Sequence, residues 1–326
     1  MTLYTSEHEE QEEQKARARK ITGRFLVAPD CDALLSSYQE VLARRGEPYD
    51  VIGQAFQSNV RGLVATVSIP CTLASVATTE RHFQRLHLAE RIRSRNLEAT
   101  DDESRDDLEL RREATAHAKA RLSMDAFTAS SEGHEVLIRD TMSFLEHLLG
   151  DDPLARAVDE LLRQGLVLCW GAFEVLARDI FIALLNMKPY LVERLLRDQT
   201  AKRRFEAAKV SIDTLILHGF DLSNKMGTLL ADQQDLSDYY SIKAIYEALY
   251  PEDITLRQVL KQDSLRALSQ RRNLIVHRGG IIDSVYIKNV PCTQKSGEIL
   301  KITPDNLEKH LETMISAATV ILETTV

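Results

Sequence analysis

A chain of 326 residues is long enough to bury a substantial core and to divide into two domains. Its hydrophobic content of 44% and charged content of 28% are ordinary for a globular protein, and a net charge of −8 argues against a protein that coats nucleic acid regardless of sequence. No apolar run approaches the roughly 20 residues needed to span a bilayer. The cysteines Cys31, Cys71, Cys169 and Cys292 show neither CxxC nor Cys/His ligand spacing, so the expectation is a cytoplasmic protein without membrane, metal or cofactor.

Glycine and proline are scarce, and Leu, Ala, Glu, Arg and Gln fill long segments, so helix should dominate. Met1 to Lys20 is charged and has no apolar centre, which excludes a signal peptide and suggests an exposed, frayed helix. The next helix follows Pro29-Asp30, with Asp30 as N-cap and Gly46 as the stop. Asn59 to Thr78 is rich in β-branched residues and is interrupted by Pro70; its pattern fits one or two short strands or a buried irregular segment. Glu80 to Leu122 returns to helix, broken by an acidic stretch near Ala99 to Arg105, and could pair as an amphipathic or coiled-coil arm.

The small polar cluster Ser130-Ser131-Glu132-Gly133 is the expected domain boundary, separating a mostly helical region 1–130 from a helical domain 131–326. Beyond it a helix from about His134 to Leu149 closes at Gly150, and Asp151-Asp152-Pro153 starts a long one. That helix holds Leu166 to Ala177, apolar nearly all round and therefore expected at the centre of a bundle, with Glu174 as its one carboxylate. Cys169 and Trp170 read as core. Helices are expected at about Lys202 to Leu217 and Asp235 to Tyr250, and another from a capping Asp263 to Gly279-Gly280. Ile281 to Val290 alternates like a strand that pairs with Glu298 to Ile302 in a small hairpin, and Thr303-Pro304 caps a last helix.

The stretch Arg271-Arg272-Asn273-Leu274-Ile275-Val276-His277-Arg278-Gly279-Gly280 carries the most chemistry. A core helix gains nothing from polar groups that are not paired. At about 100° per residue, Asn273 and His277 share a face and Arg272 lies about 140° from His277, on the flank. Basic residues recur at Lys202, Arg203, Arg204 and Lys209, and at Arg266, Arg271, Arg272 and Arg278. Each group alone is ordinary for a solvated face, but beside this motif they suggest a phosphate-binding surface. An Arg followed by His after four or five intervening residues also occurs at Arg112 to His117 and Arg81 to His87, but on charged segments without the Asn or the glycine stop. Walker-type loops, dinucleotide glycine fingerprints and HExxH are all missing from the sequence.

With Arg272-Asn273-x-x-x-His277 in a capped apolar helix, and an acidic residue in an earlier apolar helix, the region from His134 to Val326 resembles the HEPN superfamily. The resemblance implies an HEPN-like helical bundle and a metal-independent, cofactor-free endoribonuclease whose composite site forms between two copies of the chain. Attack of the RNA 2′-hydroxyl would leave 2′,3′-cyclic phosphate ends. His277 would act as base or acid, Arg272 would hold the phosphate and Asn273 would orient one of them. Glu174 would support the motif, and Arg271 and Arg278 would be auxiliary phosphate contacts. Such enzymes serve as toxins or antiviral-defence effectors, which gives residues 1–130 a sensing or docking role toward an antitoxin or activator, with the acidic tract Glu98 to Glu109 as a candidate shield. The alternative is a non-catalytic nucleotide- or RNA-binding, dimerising regulatory module of the same fold.

Overall fold

The structure, a computed structural model, describes residue 21 and residues 23–100, 103–205, 211–217, 219–233 and 236–325. The segment Met1 to Lys20, expected to be a frayed helix, lies outside them. The described residues form α-helices and a 3-10 turn, with no strand among them.

Helix α1 (Cys31–Leu42) is capped by Asp30, whose carboxylate accepts from the backbone N–H groups of Asp32 and Ala33; it ends at Leu42, short of Gly46. The segment whose β-branched residues suggested strands is helical, divided between α2 (Tyr49–Val67) and α3 (Ile69–Ser94). In α2, Phe56, Val60, Leu63, Val64 and Val67 recur at helical spacing on one buried face, and burial outweighs the few tenths of a kcal/mol by which valine disfavours helix. Pro70 sits in the first turn of α3, where its missing N–H costs no helical hydrogen bond. Ser104 caps α4 (Arg105–Ala129), and Ser130 caps α5 (Ser131–Leu149) through Gly133 N–H. The long helix α6 (Asp152–Met187) runs for 36 residues.

By its contacts the chain forms two compact units, both discontinuous: Met1–Val27 with Ser68–Val158, and Ala28–Val67 with Asp159–Val326. This differs from a division at residue 130, because α1 and α2 belong with the C-terminal helices. In the first unit α3 packs along α4 and α5. Its apolar core is small, formed around Ile21, Phe25, Ala74, Leu145 and Val158. Polar ties supplement it: Thr78 and Thr141 hydroxyls meet at 2.8 Å, His82 Nε2 lies 3.0 Å from Asp140 Oδ2, and His87 Nε2 lies 3.1 Å from Glu113 Oε1.

In the second unit, α6 buries Leu162, Leu166, Cys169, Trp170, Phe173, Leu176, Ile180 and Leu184. The Trp170 indole N–H donates to the Ser237 carbonyl at 3.0 Å. The helix is not enclosed on every side, since Leu168 and Val175 are 47% and 46% exposed and define an open strip. After a 3-10 turn at Pro189–Leu191 come α7 (Val192–Arg197), α8 (Gln199–Phe205), α9 (Ile212–Leu217), α10 (Met226–Gln233), α11 (Tyr239–Leu249), α12 (Ile254–Leu260) and α13 (Asp263–Arg278). The helix expected from Lys202 to Leu217 is thus α8 and α9, with residues 206–210 outside the described set. Thr303 caps the last helix, α15 (Pro304–Thr324), through the Asn306 N–H; it packs against α1, α12 and α13.

The expected C-terminal hairpin does not form. Asp283 accepts from the Tyr286 N–H and starts a short helix, α14 (Ser284–Asn289), leaving one isolated antiparallel bridge, Ile281 to Ile299, among the described residues. Val285 and Ile287, whose alternation suggested a strand face, are exposed, while Tyr286 between them is buried.

The two faces of α6 predict different costs. Replacing Phe173 by Ala should lower unfolding free energy by about 3–5 kcal/mol, whereas Leu168→Ala should cost well under half of that. Urea titrations of both variants test the assignment, and equal losses would contradict it.

Candidate functional site

Helix α13 carries the motif. It begins after Gln262 without a side-chain cap, and Asp263, expected as the cap, is instead its first residue, paired with Arg266 at 2.9 Å. Its end is sharp: Gly279 has φ 60°, a left-handed conformation unfavourable for a residue with a Cβ, and the N–H groups of Gly279 and Gly280 both return to the Leu274 carbonyl. The sequence folds locally as its glycines require. Leu265, Leu268, Leu274 and Ile275 bury the helix against the unit.

Arg272 and Glu174 meet. Arg272 NH2 lies 3.3 Å from Glu174 Oε2, and the two side chains are 22% and 23% exposed, so the pair sits at the edge of the bundle. Arg272 NH1 donates to Asn273 Oδ1 at 3.1 Å, which makes the amide a second brace on the same guanidinium. His277 is exposed and has no side-chain hydrogen bond or ion pair among the described residues. The motif thus splits into a braced cation and an open imidazole. Arg272 keeps part of its surface accessible beside the exposed His277.

Arg271, the neighbouring arginine, is turned inward. Its Nε donates to the Tyr286 hydroxyl at 3.3 Å, and its NH1 lies 2.7 Å from His310 Nε2. A guanidinium has donors only, so His310 Nε2 must offer its lone pair, and the imidazole is neutral with its proton on Nδ1. Burial pushes the His310 pKa down to about 3; the charges of Arg271 and Lys309 add to this, and a backbone hydrogen bond at Ser264 opposes it. Burial likewise raises the pKa of Tyr286, with Arg271 acting against the shift. Arg271, only partly buried, is therefore engaged by α14 and α15.

Arg278 is exposed and lies 3.5 Å from Asp283 Oδ2, so part of its charge is answered locally. In the other basic stretch, Arg204 bonds the Ser241 hydroxyl and faces Asp238, while Lys209 lies outside the described residues.

His310 and Tyr286 escaped sequence reading. His310 occupies the apolar stripe Leu307-His310-Leu311-Met314 of α15, where a polar residue marks an internal partner; Tyr286 was hidden by the apparent strand alternation. Residues of the two other Arg-to-His spacings make local contacts. Arg112 donates to the carbonyls of Leu97 and Arg95, His87 pairs with Glu113, and the His87 and His117 rings meet edge to face at 5.7 Å. The acidic tract is also engaged locally: Arg111 makes two 2.8 Å bonds to Glu103, holding its carboxyl below the usual range.

Among the described residues, no cluster of His, Cys, Asp and Glu has the makings of a metal site. Neither family models, nor curated proteins, nor solved structures match the chain.

Because His310 binds protons less readily folded than unfolded, the unfolded chain takes up more protons as pH falls below about 6.5, and the stabilisation is lost progressively toward about pH 3. The urea midpoint of wild type should therefore fall more steeply between pH 6.5 and 4 than that of His310→Gln. Parallel slopes would mean that His310 is not the group responsible.

Proposed function

We propose that the chain is a metal-independent endoribonuclease of HEPN type, working as a homodimer whose site is completed by the second copy. The reading rests chiefly on one observation: Arg272, braced by Glu174 and Asn273, shares the last turns of a glycine-terminated helix with an exposed imidazole that has no side-chain partner among the described residues. The exposed apolar residues Leu168 and Val175 on α6 and Val276 on α13 give the two helices of the site a surface suited to a second copy.

In this mechanism His277 of one copy accepts the proton of an RNA 2′-hydroxyl as its oxygen attacks the adjacent phosphorus. The new O2′–P bond forms and the P–O5′ bond breaks. The leaving 5′-oxygen takes a proton from the protonated His277 of the other copy, giving a 5′-hydroxyl and a 2′,3′-cyclic phosphate. Arg272 offsets charge gathering on the non-bridging oxygens, with its approach direction held by Glu174 and Asn273. A 2′-hydroxyl nucleophile selects RNA over DNA without base readout. A cytoplasmic toxin or defence effector is the role we infer, with a partner such as an antitoxin or activator acting through the N-terminal part of the chain.

One feature favours a second reading, a non-catalytic nucleotide- or RNA-binding dimeric module: the charge of Arg272 is already answered by Glu174. Labelled single-stranded RNA incubated in EDTA separates the two. The nuclease reading expects cleavage with cyclic-phosphate ends, reduced at least about 100-fold in both His277→Ala and Arg272→Ala. Equal behaviour of wild type and both variants would remove it and leave the binding module.

A further inference from the structure

Between Ser269 and Leu274, α13 lacks a buried side chain: Gln270, Arg271, Arg272 and Asn273 are all only partly buried. One full turn of the motif helix therefore has no apolar anchor. The side-chain bonds that tie this turn to other helices run through the two arginines, Arg272 to α6 and Arg271 to α14 and α15. Successive residues point about 100° apart, so these contacts pull in different directions and together resist rotation of the helix about its axis.

The Arg271 contacts are the more deeply set. Tyr286 and His310 are each 4% exposed, whereas Glu174 is 23% exposed. We propose that Arg271, Tyr286 and His310 form an internal clamp that sets the rotation of α13 and thereby aims Arg272 and His277. The three are positioning residues for the site proposed above, and the inference rests on that reading for its catalytic consequence. A side-chain tip lies about 7 Å from a helix axis, so a rotation of only about 10° moves it by about 1 Å, enough to cost about 100-fold in rate.

The clamp imposes a chemical condition. Its acceptor toward Arg271 must be a lone pair, which a neutral imidazole or an amide oxygen supplies and an alkyl group cannot. His310→Gln should keep the clamp; His310→Leu should release it; Tyr286→Phe should weaken it by removing one acceptor.

The test measures three quantities on the full chain: thermal midpoint, kcat and KM for RNA cleavage, and the NMR resonances of the His277 imidazole without RNA. His310→Leu is expected to lower kcat about 100-fold with KM changed less than about threefold, and to shift the His277 resonances. His310→Gln is expected to stay within about threefold of wild type in kcat, with His277 resonances unmoved. Should His310→Leu fail to fold, Tyr286→Phe carries the comparison, with kcat expected to fall about tenfold and the His277 resonances to shift. Unchanged kcat and unchanged resonances in a folded Leu or Phe variant would overturn the clamp. A Gln variant as impaired as Leu, with an equal loss of thermal midpoint, would also overturn it and leave a packing role alone. If wild type cleaves no RNA, the nuclease reading fails, while the resonances still decide whether the clamp orients His277.

Discussion

A guanidinium cannot shed its charge at any pH a protein meets, so two of them side by side on one helix oblige the surrounding bundle to supply acceptors. That obligation organises the second unit of this protein. Arg272 draws a carboxylate into the otherwise apolar middle of α6, and Arg271 draws a hydroxyl from α14 and an imidazole from α15. The imidazole must stay neutral to serve, and its deep burial ensures that it does. A polar requirement of two residues is thus distributed over three other helices, and each of those helices is placed with respect to the motif by meeting it.

Much of this helical fold was legible in advance because its signals are local. Asp30, Ser130 and Thr303 accept backbone N–H groups within a turn of themselves, and Gly279 adopts the left-handed geometry that ends α13. The Arg272 to Glu174 contact could be anticipated because one carboxylate in a long apolar stretch has few suitable partners. What resisted reading were properties of the assembled core. Val60, Val64 and Val67 of α2 resemble strand residues until their burial on one helical face is known. The alternation around Tyr286 inverts its apparent meaning once Asp283 caps a helix. The different surroundings of Arg271 and Arg272 are set by distant residues: Tyr286 and His310, 15 and 39 positions away, engage the first.

The repeated Arg-to-His spacing shows how little a spacing alone carries. In α3 and α4 the same residue types are consumed by structure: Arg112 satisfies loop carbonyls, while His87 and His117 pack with Phe83 into a ring cluster. In α13 the histidine has no such neighbour among the described residues, and it is the last residue but one of a helix whose glycine stop leaves open space around Gly279. Surroundings, more than intervals, separate a structural histidine from a chemically available one.

The discontinuity of the second unit bears on how the protein comes into being. The Arg45 guanidinium, at the end of α1, donates to the carbonyl of Glu323, a contact spanning 278 positions of sequence, and α1 packs on α15. The first-made helix of this unit therefore waits for the last-made one. A ribosome emits a chain at roughly 5–20 residues per second, so this unit cannot close until the residues through about Glu323 have been made. The first unit, which takes in no residue beyond Val158, is under no such delay. During synthesis, then, the helix bearing His277 sits in an unfinished bundle until α15 has followed it.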